Sequence, residues 1–176
     1  MASSIKPPSV AVIGAGATGI SMLKTLREDG FDARLFERRG RVGGLWSYTD
    51  DKTMTTALPT TRAVISKYTC GFTDFPMPDK YGPHLTQRDF EEYMESYAEQ
   101  FDLYKHMTFN TTVKQVTRNA DGSKWRVEMI KSGIPEYQEF DKVVLCHGYQ
   151  TKPKMPSYER QEEYEGLLLH SQQFRK

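Results

Sequence analysis

Cysteine, long apolar runs and an excess of charge of one sign are all scarce in this chain of 176 residues. Its 2 cysteines exclude a disulfide framework and lack the spacing of a metal site, so a reduced, cytoplasmic setting is the default expectation. The longest apolar stretch, residues 10–20, is too short to span a bilayer, which takes about 20 residues. A formal net charge of +1 favours neither nucleic acid nor an acidic membrane surface. We therefore expect one globular domain without a metal, a nucleic-acid partner or a membrane segment, and the oligomeric state stays open.

A glycine-rich turn follows the first apolar run, residues 10–13, and precedes a helical pattern with Ile20, Leu23 and Leu26 on one face. In a strand–turn–helix unit, such glycines permit the tight turn, the approach of a pyrophosphate to the backbone, and close packing of the helix on the strand. The helix N-terminus adds free N–H groups for the phosphates. The predicted cofactor-binding turn consists of Gly14, Ala15, Gly16, Ala17, Thr18 and Gly19.

A carboxylate ends the second predicted strand, residues 32–37, at the spacing expected for a ribose ligand. Glu37 lies about 20 residues after the glycine turn, where a carboxylate accepts hydrogen bonds from ribose hydroxyls. A 2′-phosphate would be repelled by this charge. The site is therefore predicted to hold FAD or NAD rather than NADP.

A second glycine pair favours FAD over NAD. Gly43 and Gly44 follow Arg41 and precede Leu45 and Trp46, just beyond the ribose-binding strand. Here backbone without side chains can reach the far half of a long, extended dinucleotide. NAD-dependent dehydrogenases do not usually carry this pair, so we assign Arg41 and Gly44 to the cofactor site.

The remaining pattern predicts an α/β fold: a Rossmann-like FAD-binding domain with a βαβ unit and an antiparallel β-meander. Residues 40–83 are irregular, and a loop of this length is usually functional, so we place it near the flavin. Thr86 and Asp89 predict a helix start, followed by an apolar face that we interpret as core packing. Short strands are expected at 112–118, 125–130, 136–140 and 143–146.

Taken together, these motifs resemble those of the flavin-containing monooxygenases, the dimethylaniline N-oxide-forming type included, and the resemblance covers nearly the whole chain. It includes the two glycine motifs, Ser66-Lys67, and the Cys146-x-Gly148 segment. It ends on Tyr164-x-Gly166-x-x-x-His170-x-x-x-Phe174, which is similar to the identifying motif of that family. The resemblance implies a flavoprotein oxidoreductase that uses FAD, NADPH and dioxygen to oxygenate soft nitrogen or sulfur nucleophiles through a flavin hydroperoxide.

The resemblance also assigns further cofactor contacts, position by position. Leu45 and Trp46 are expected to touch the flavin half, and Val64 and Ile65 fall where the family lines the flavin ring. Val113 is expected to contact the adenine through its backbone. Gly148 joins the same set, and the catalytic residues stay unknown.

Three departures from the family pattern limit what the resemblance implies. Val64 stands where the family usually has an asparagine, and valine cannot donate a hydrogen bond, which puts efficient N-oxygenation in doubt. His147 stands where the family prefers serine or threonine, and we interpret it as a partly exposed loop residue. The chain ends before a second glycine-rich motif, so no NADPH site is expected in it. A parent enzyme could reach a membrane through a C-terminal segment.

The expected organisation is the N-terminal part of a FAD-binding domain over residues 1–176, truncated before an NADPH domain. It has a disordered tail at 1–9 and a connector at 157–176. Three alternatives to a monooxygenase stay open: a non-catalytic flavin-binding fragment, a NAD-dependent dehydrogenase, and a relative of the flavin amine oxidases.

Overall fold

The computed structural model describes residues 6–175, which form two sheets and three α-helices. The strands are β1 (Ser9–Ile13), β2 (Asp32–Phe36), β3 (Met107–Thr108), β4 (Thr111–Arg118), β5 (Trp125–Lys131), β6 (Ile134–Phe140) and β7 (Lys142–Leu145). The helices are α1 (Ala17–Glu28), α2 (Lys67–Cys70) and α3 (Gln87–Gln100). The order of elements confirms the predicted α/β fold with a βαβ unit and a meander.

The central sheet is parallel, with strand order β3-β2-β1-β7. Its inner strand β1 is apolar from Val10 to Ile13, and Val10, Ala11 and Val12 are fully buried. A parallel strand covered on both faces has this composition because both sets of side chains lie in the core. Since β2 and β7 lie on opposite sides of β1, a crevice for a ligand is expected at the carboxyl end of β1.

Helix α1 packs on this sheet with the predicted face. Ile20 and Leu23 are fully buried, and Leu26 lies partly buried against the same core. The helix gives way to Gly30, whose φ of +83° is costly for residues with a side chain. Burial of Ile20 and of Leu23 contributes about 1.5–3 kcal/mol each.

Helix α3 starts at a capping box, as the sequence predicts. The Thr86 side chain accepts a hydrogen bond from the Asp89 N–H, and the Asp89 carboxylate accepts one from the Thr86 N–H. The apolar face is core, because Tyr93 and Tyr97 are 1% exposed and pack against Phe72 from the long loop. The aromatic side chains Tyr93 and Tyr97 of α3 therefore pack against the long loop and belong to the core.

The antiparallel sheet has the order β4-β5-β6 and forms a second core beneath the first sheet. Val127, Met129 and Phe140 are buried against Ala11 and Phe36 of the parallel sheet. A turn at Ser132 and Gly133, both with positive φ, connects β5 to β6. Paired positive φ values match the right-handed twist of a hairpin.

Some boundaries differ from those read from the sequence. Strand β1 begins at Ser9 rather than at residue 10, because Ser9 pairs with Asp32. Strand β3 escapes sequence analysis, since two residues carry no periodicity, yet it extends the parallel sheet beside β2. Of the expected disordered tail, residues 1–5 lie outside the described residues.

The C-terminal segment has little regular structure but contacts the long loop. Gln172 donates to the Thr53 carbonyl at 3.2 Å, and Arg175 donates to the carbonyls of Asp51 and Met54 at 2.7 and 2.8 Å. The interpretation of residues 157–176 as a connector stays a prediction. Over residues 6–175, no helix has both the length and the apolar character that crossing a membrane requires.

An exposed carboxylate joins the starts of β1 and β7 and gives a prediction on acid stability. Asp141 Oδ2 accepts hydrogen bonds from the Ser9 hydroxyl and the Ser9 N–H, both at 2.7 Å. These bonds lower the pKa of Asp141 to about 2. Because the folded-state pKa lies below the ordinary value of about 4, the stabilisation is present above pH 4 and is lost as the pH falls toward 2.

We expect Asp141→Asn to be less stable than the wild type at pH 7, by a difference that shrinks as the pH falls from 4 through 2. Urea unfolding at a series of pH values measures this difference directly. Asp29→Asn, on the exposed residue that follows α1, serves as the control. A constant difference between wild type and Asp141→Asn at all pH values would contradict the assignment.

Candidate cofactor-binding site

The first glycine turn has a geometry that side chains would destroy. Gly14 has a φ of +106°, and a Cβ there would lie 2.6 Å from the Cys146 carbonyl oxygen. A Cβ on Gly19 would lie 1.8 Å from the Gly14 carbonyl oxygen. Both contacts are with backbone, which cannot move aside cheaply. The turn therefore requires glycine at both positions, as the sequence predicts.

The start of α1 is open to a ligand. Gly16 is the N-cap, and no side chain in the described part of the chain makes a capping hydrogen bond there. Ala17 and Thr18 in the first turn are exposed. The free N–H groups and the positive end of the helix dipole make this position suitable for a phosphate.

Glu37 lies buried directly beside this turn. Its Oε2 accepts a hydrogen bond from the Ala15 N–H at 2.7 Å, and its Oε1 accepts one from the Arg39 N–H at 2.8 Å. The residue is 6% exposed. The two N–H groups orient a negative charge next to the phosphate position, which is the arrangement expected of a ribose ligand.

The second glycine pair packs against the first turn. The Gly43 N–H donates to the Ala15 carbonyl at 2.9 Å. A Cβ on Gly44, which has a φ of +55°, would lie 2.8 Å from the Gly16 Cα. The two motifs, separated along the chain by more than 20 residues, thus form one cradle of backbone without side chains.

Arg41 supports the segment that follows the pair. Its Nε donates to Ser47 Oγ at 2.6 Å, and its guanidinium also donates to the Tyr48 carbonyl at 2.7 Å. Glu91 Oε1 lies 3.2 Å from Nε, outside hydrogen-bonding geometry, because the one Nε–H points to Ser47. In this structure Arg41 holds the loop, and its predicted contact with a cofactor stays a prediction.

Leu45 and Trp46 follow the glycine pair in a single 3-10 turn, Gly44–Trp46. The Trp46 ring stacks on Phe90 of α3 with ring centroids 4.4 Å apart, and the Trp46 carbonyl accepts a hydrogen bond from the Gln87 side chain. Leu45 is 46% exposed. Helix α3 therefore sets the position of the aromatic side chain that we assign to the flavin half.

An open apolar hollow lies beside Trp46, with a volume of about 390 Å³. Val64 and Ile65 line it together with Trp46 and Phe90. Val64 is 93% exposed and Ile65 is 53% exposed, so both side chains are accessible to a ligand. The structure thus brings Val64 and Ile65 to the Trp46 side of the site, where the sequence analysis expects the flavin ring.

Val113 and Gly148 lie at the borders of the site. The Thr111 N–H donates to the Glu37 carbonyl at 2.9 Å, which places the start of β4, and Val113 two residues later, near the ribose end. Gly148, with a φ of +75°, follows β7. His147, between Gly148 and β7, is exposed, in agreement with its interpretation as a loop residue. The roles of Val113 and Gly148 toward a cofactor stay predictions.

Three residues of the site escape the sequence analysis. Gln87 is 5% exposed and bonds the Trp46 carbonyl, and Ser47 is 1% exposed and accepts from two arginines. Arg39 is the second of those arginines. The sequence feature that could have indicated Arg39 is the high density of arginines between Glu37 and the second glycine pair. Among residues 6–175, no cluster of three metal-ligating side chains occurs.

The sheet order, the two interlocked glycine motifs and the buried acid that follows β2 are the features of a dinucleotide-binding domain. A family model described as flavin-binding monooxygenase-like matches residues 8–176. The chain belongs to this family.

Individual relatives agree with this assignment. Flavin-containing monooxygenase 5 of Mus musculus is 35% identical over 173 residues, a match that covers 94% of this chain and 32% of the mouse protein. The structure of S-allyl-L-cysteine S-oxygenase from Allium sativum has a TM-score of 0.88 at 26% identity, over 96% of this chain and 43% of that one. OTEMO in complex with FAD and NADP has a TM-score of 0.72 at 22% identity, over 96% of this chain and 31% of that one, which shows the shared fold. The chain thus spans about a third of the length of the curated relative.

Proposed function

We propose that this chain binds FAD and supplies the FAD-binding part of an NADPH-dependent monooxygenase. The observation that carries the proposal is the contact of Gly43 and Gly44 with the first glycine turn. A single glycine turn suits any adenine dinucleotide. Two turns packed together extend the backbone cradle beyond the pyrophosphate, toward Trp46 and the apolar hollow, where a flavin would fit.

The adenosine half would be held by polar groups of β1, α1 and β2. The N–H groups at the start of α1 face the pyrophosphate position, and the Glu37 carboxylate accepts hydrogen bonds from the ribose hydroxyls. Because Glu37 is buried and hydrogen-bonded by two N–H groups, its charge is well placed to repel a 2′-phosphate. This arrangement supports the proposal that the site holds FAD and that NADPH binds elsewhere.

The flavin half would be held by apolar surface. Leu45, Trp46, Val64 and Ile65 offer side chains that exclude water from the cofactor ring. When bound, FAD supplies the redox chemistry that lets dioxygen oxygenate a small substrate. We propose soft nitrogen or sulfur nucleophiles as the substrate class, which the name of the garlic S-oxygenase supports for sulfur.

Intrinsic fluorescence tests FAD binding by the full chain. The chain has 2 tryptophans, so Trp125→Phe leaves Trp46 as the only indole. We expect FAD to quench Trp46 emission saturably, because a flavin in the hollow would lie beside this ring. FMN, which lacks the adenosine half, is expected to bind at least about tenfold more weakly, a difference of 1.4 kcal/mol or more.

The same titration separates the proposed function from its nearest alternative. A NAD-dependent dehydrogenase would bind NAD⁺ more tightly than FAD and would show no visible absorbance after gel filtration with FAD. Either result would contradict the proposal. A yellow chain that co-elutes with FAD and ignores NAD⁺ would support it.

A further inference from the structure

Arg39 lies between the two halves of the candidate site and contacts both. Its backbone N–H donates to Glu37 Oε1 at 2.8 Å, on the ribose side. Its guanidinium donates to the Thr55 carbonyl at 2.6 Å and to the Ser47 carbonyl, both on the segment that follows Trp46. One residue therefore touches the carboxylate that would hold the ribose and the loop that carries the flavin-side aromatic ring.

The two carbonyls bonded by Arg39 lie 8 and 16 residues further along the chain. A planar guanidinium can donate to both at once, whereas a lysine ammonium lacks this fixed fork. Burial lowers the pKa of Arg39, and arginine nevertheless keeps its charge in proteins. The cost of burying this charge is offset only while the carbonyls stay in place, so the side chain resists movement of the loop.

The segment that contains these two carbonyls also makes hydrogen bonds within itself. Thr56 Oγ1 donates to the Ser47 carbonyl at 3.2 Å, and the Ala57 N–H donates to the Leu45 carbonyl at 2.7 Å. Residues 45–57 thus form a loop that is closed by the Ala57–Leu45 hydrogen bond and bonded to Arg39 at two carbonyls, and we call this segment the flavin-side loop. Its first two residues are the Leu45 and Trp46 pair.

We propose that Arg39 is a positioning residue that holds the flavin-side loop in register with the adenosine half of the site. The proposal rests on the proposed function, because it assigns the loop to the flavin half of FAD. With Arg39 in place, the flavin adds binding energy beyond that of the adenosine half. Without it, the chain would still bind the adenosine diphosphate part, since Glu37 and the glycine turn would keep their backbone contacts.

The test compares Arg39→Met with Arg38→Met, which removes the same charge from the exposed neighbouring residue. Both variants are made in the Trp125→Phe background and titrated with FAD and with ADP. We expect Arg39→Met to weaken FAD binding by about tenfold, as loss of a hydrogen bond to a charged group would. ADP binding should change by less than about twofold, and Arg38→Met should leave both affinities near the wild-type values.

A measurement without cofactor reads the loop directly. Acrylamide quenching of Trp46 is expected to rise in ligand-free Arg39→Met and to stay unchanged in Arg38→Met, because a released loop exposes the ring. Arg39→Lys keeps the charge but loses the planar fork that reaches both carbonyls, so it should give intermediate values for both quenching and FAD affinity. If Arg39→Met does not fold by circular dichroism, Arg39→Lys carries the comparison.

The outcomes distinguish the two proposals. If the wild-type chain binds neither FAD nor ADP, both the proposed function and the assignment of Arg39 are wrong. If the wild type binds FAD and Arg39→Met binds it with equal affinity, only the positioning role is wrong. The same holds if Arg39→Met loses FAD affinity and ADP affinity equally. Acrylamide quenching of Trp46 that is unchanged in Arg39→Met would also contradict the positioning role.

Discussion

A Gly16→Ala variant is expected to keep its fold and to lose most of its affinity for FAD. Gly16 has φ and ψ of −75° and −179°, an extended conformation that alanine adopts readily. In the protein itself, an added Cβ would lie 3.6 Å from the Gly44 Cα, which is ordinary van der Waals contact. The methyl group would therefore occupy the cradle between the two glycine motifs, where the pyrophosphate is proposed to lie.

The expected loss follows from inserting a methyl group into a closely packed contact. Such insertions cost about 1–3 kcal/mol, which corresponds to a fall in FAD affinity of about 5- to 150-fold. Thermal unfolding without ligand should be nearly unchanged. Titration with FAD, monitored by Trp46 emission, measures the affinity, and circular dichroism measures the melting temperature.

Two other glycines provide matched comparisons for Gly16→Ala. Gly82 is exposed, and a Cβ there would meet no atom within 4 Å, so Gly82→Ala should change neither property. Gly19→Ala should lower stability itself, because its Cβ would collide with the Gly14 carbonyl. If Gly16→Ala binds FAD as the wild type does, the pyrophosphate does not lie in this cradle.

Glu37→Gln is expected to lower both the stability of the fold and the affinity for FAD. The carboxylate accepts from two N–H groups, and an amide would place its own NH₂ group against one of them. Leaving such a buried donor without an acceptor costs about 1–3 kcal/mol. For a chain of this size, this cost corresponds to a fall in melting temperature of about 2–12 °C.

The preference of Glu37→Gln between ADP and 2′-phospho-ADP tests the ribose contact more specifically than its stability does. The wild type should bind ADP more tightly than 2′-phospho-ADP, because the charge of Glu37 repels the additional phosphate. In Glu37→Gln this preference should narrow, while affinity for ADP falls. Glu99→Gln, on an exposed residue near the end of α3, is the matched control. An unchanged preference would show that Glu37 does not face the ribose.

Patterns between residues close together in the sequence are sufficient to predict the glycine turn and the two long helices. The glycine turn, α1 and α3 were predicted because strand–turn–helix spacing, helical periodicity and a capping pair depend on neighbours a few residues away. Val64 lies beside Trp46 and Glu37 beside the glycine turn, and their contacts with a cofactor stay predictions. Strand β3 was missed because two residues pair with β2 only after the whole sheet has formed.

The sequence by itself determined the fold class, the family and the first half of the cradle, since each depends on residue types at short, fixed spacing. Only the tertiary structure decided that Gly44 packs on Gly16, that Trp46 stacks on Phe90, and that Arg39 bonds the carbonyls of the flavin-side loop. These contacts join segments distant in the chain. Backbone carbonyls, moreover, carry no residue identity, so the partners of Arg39 leave no trace in the sequence.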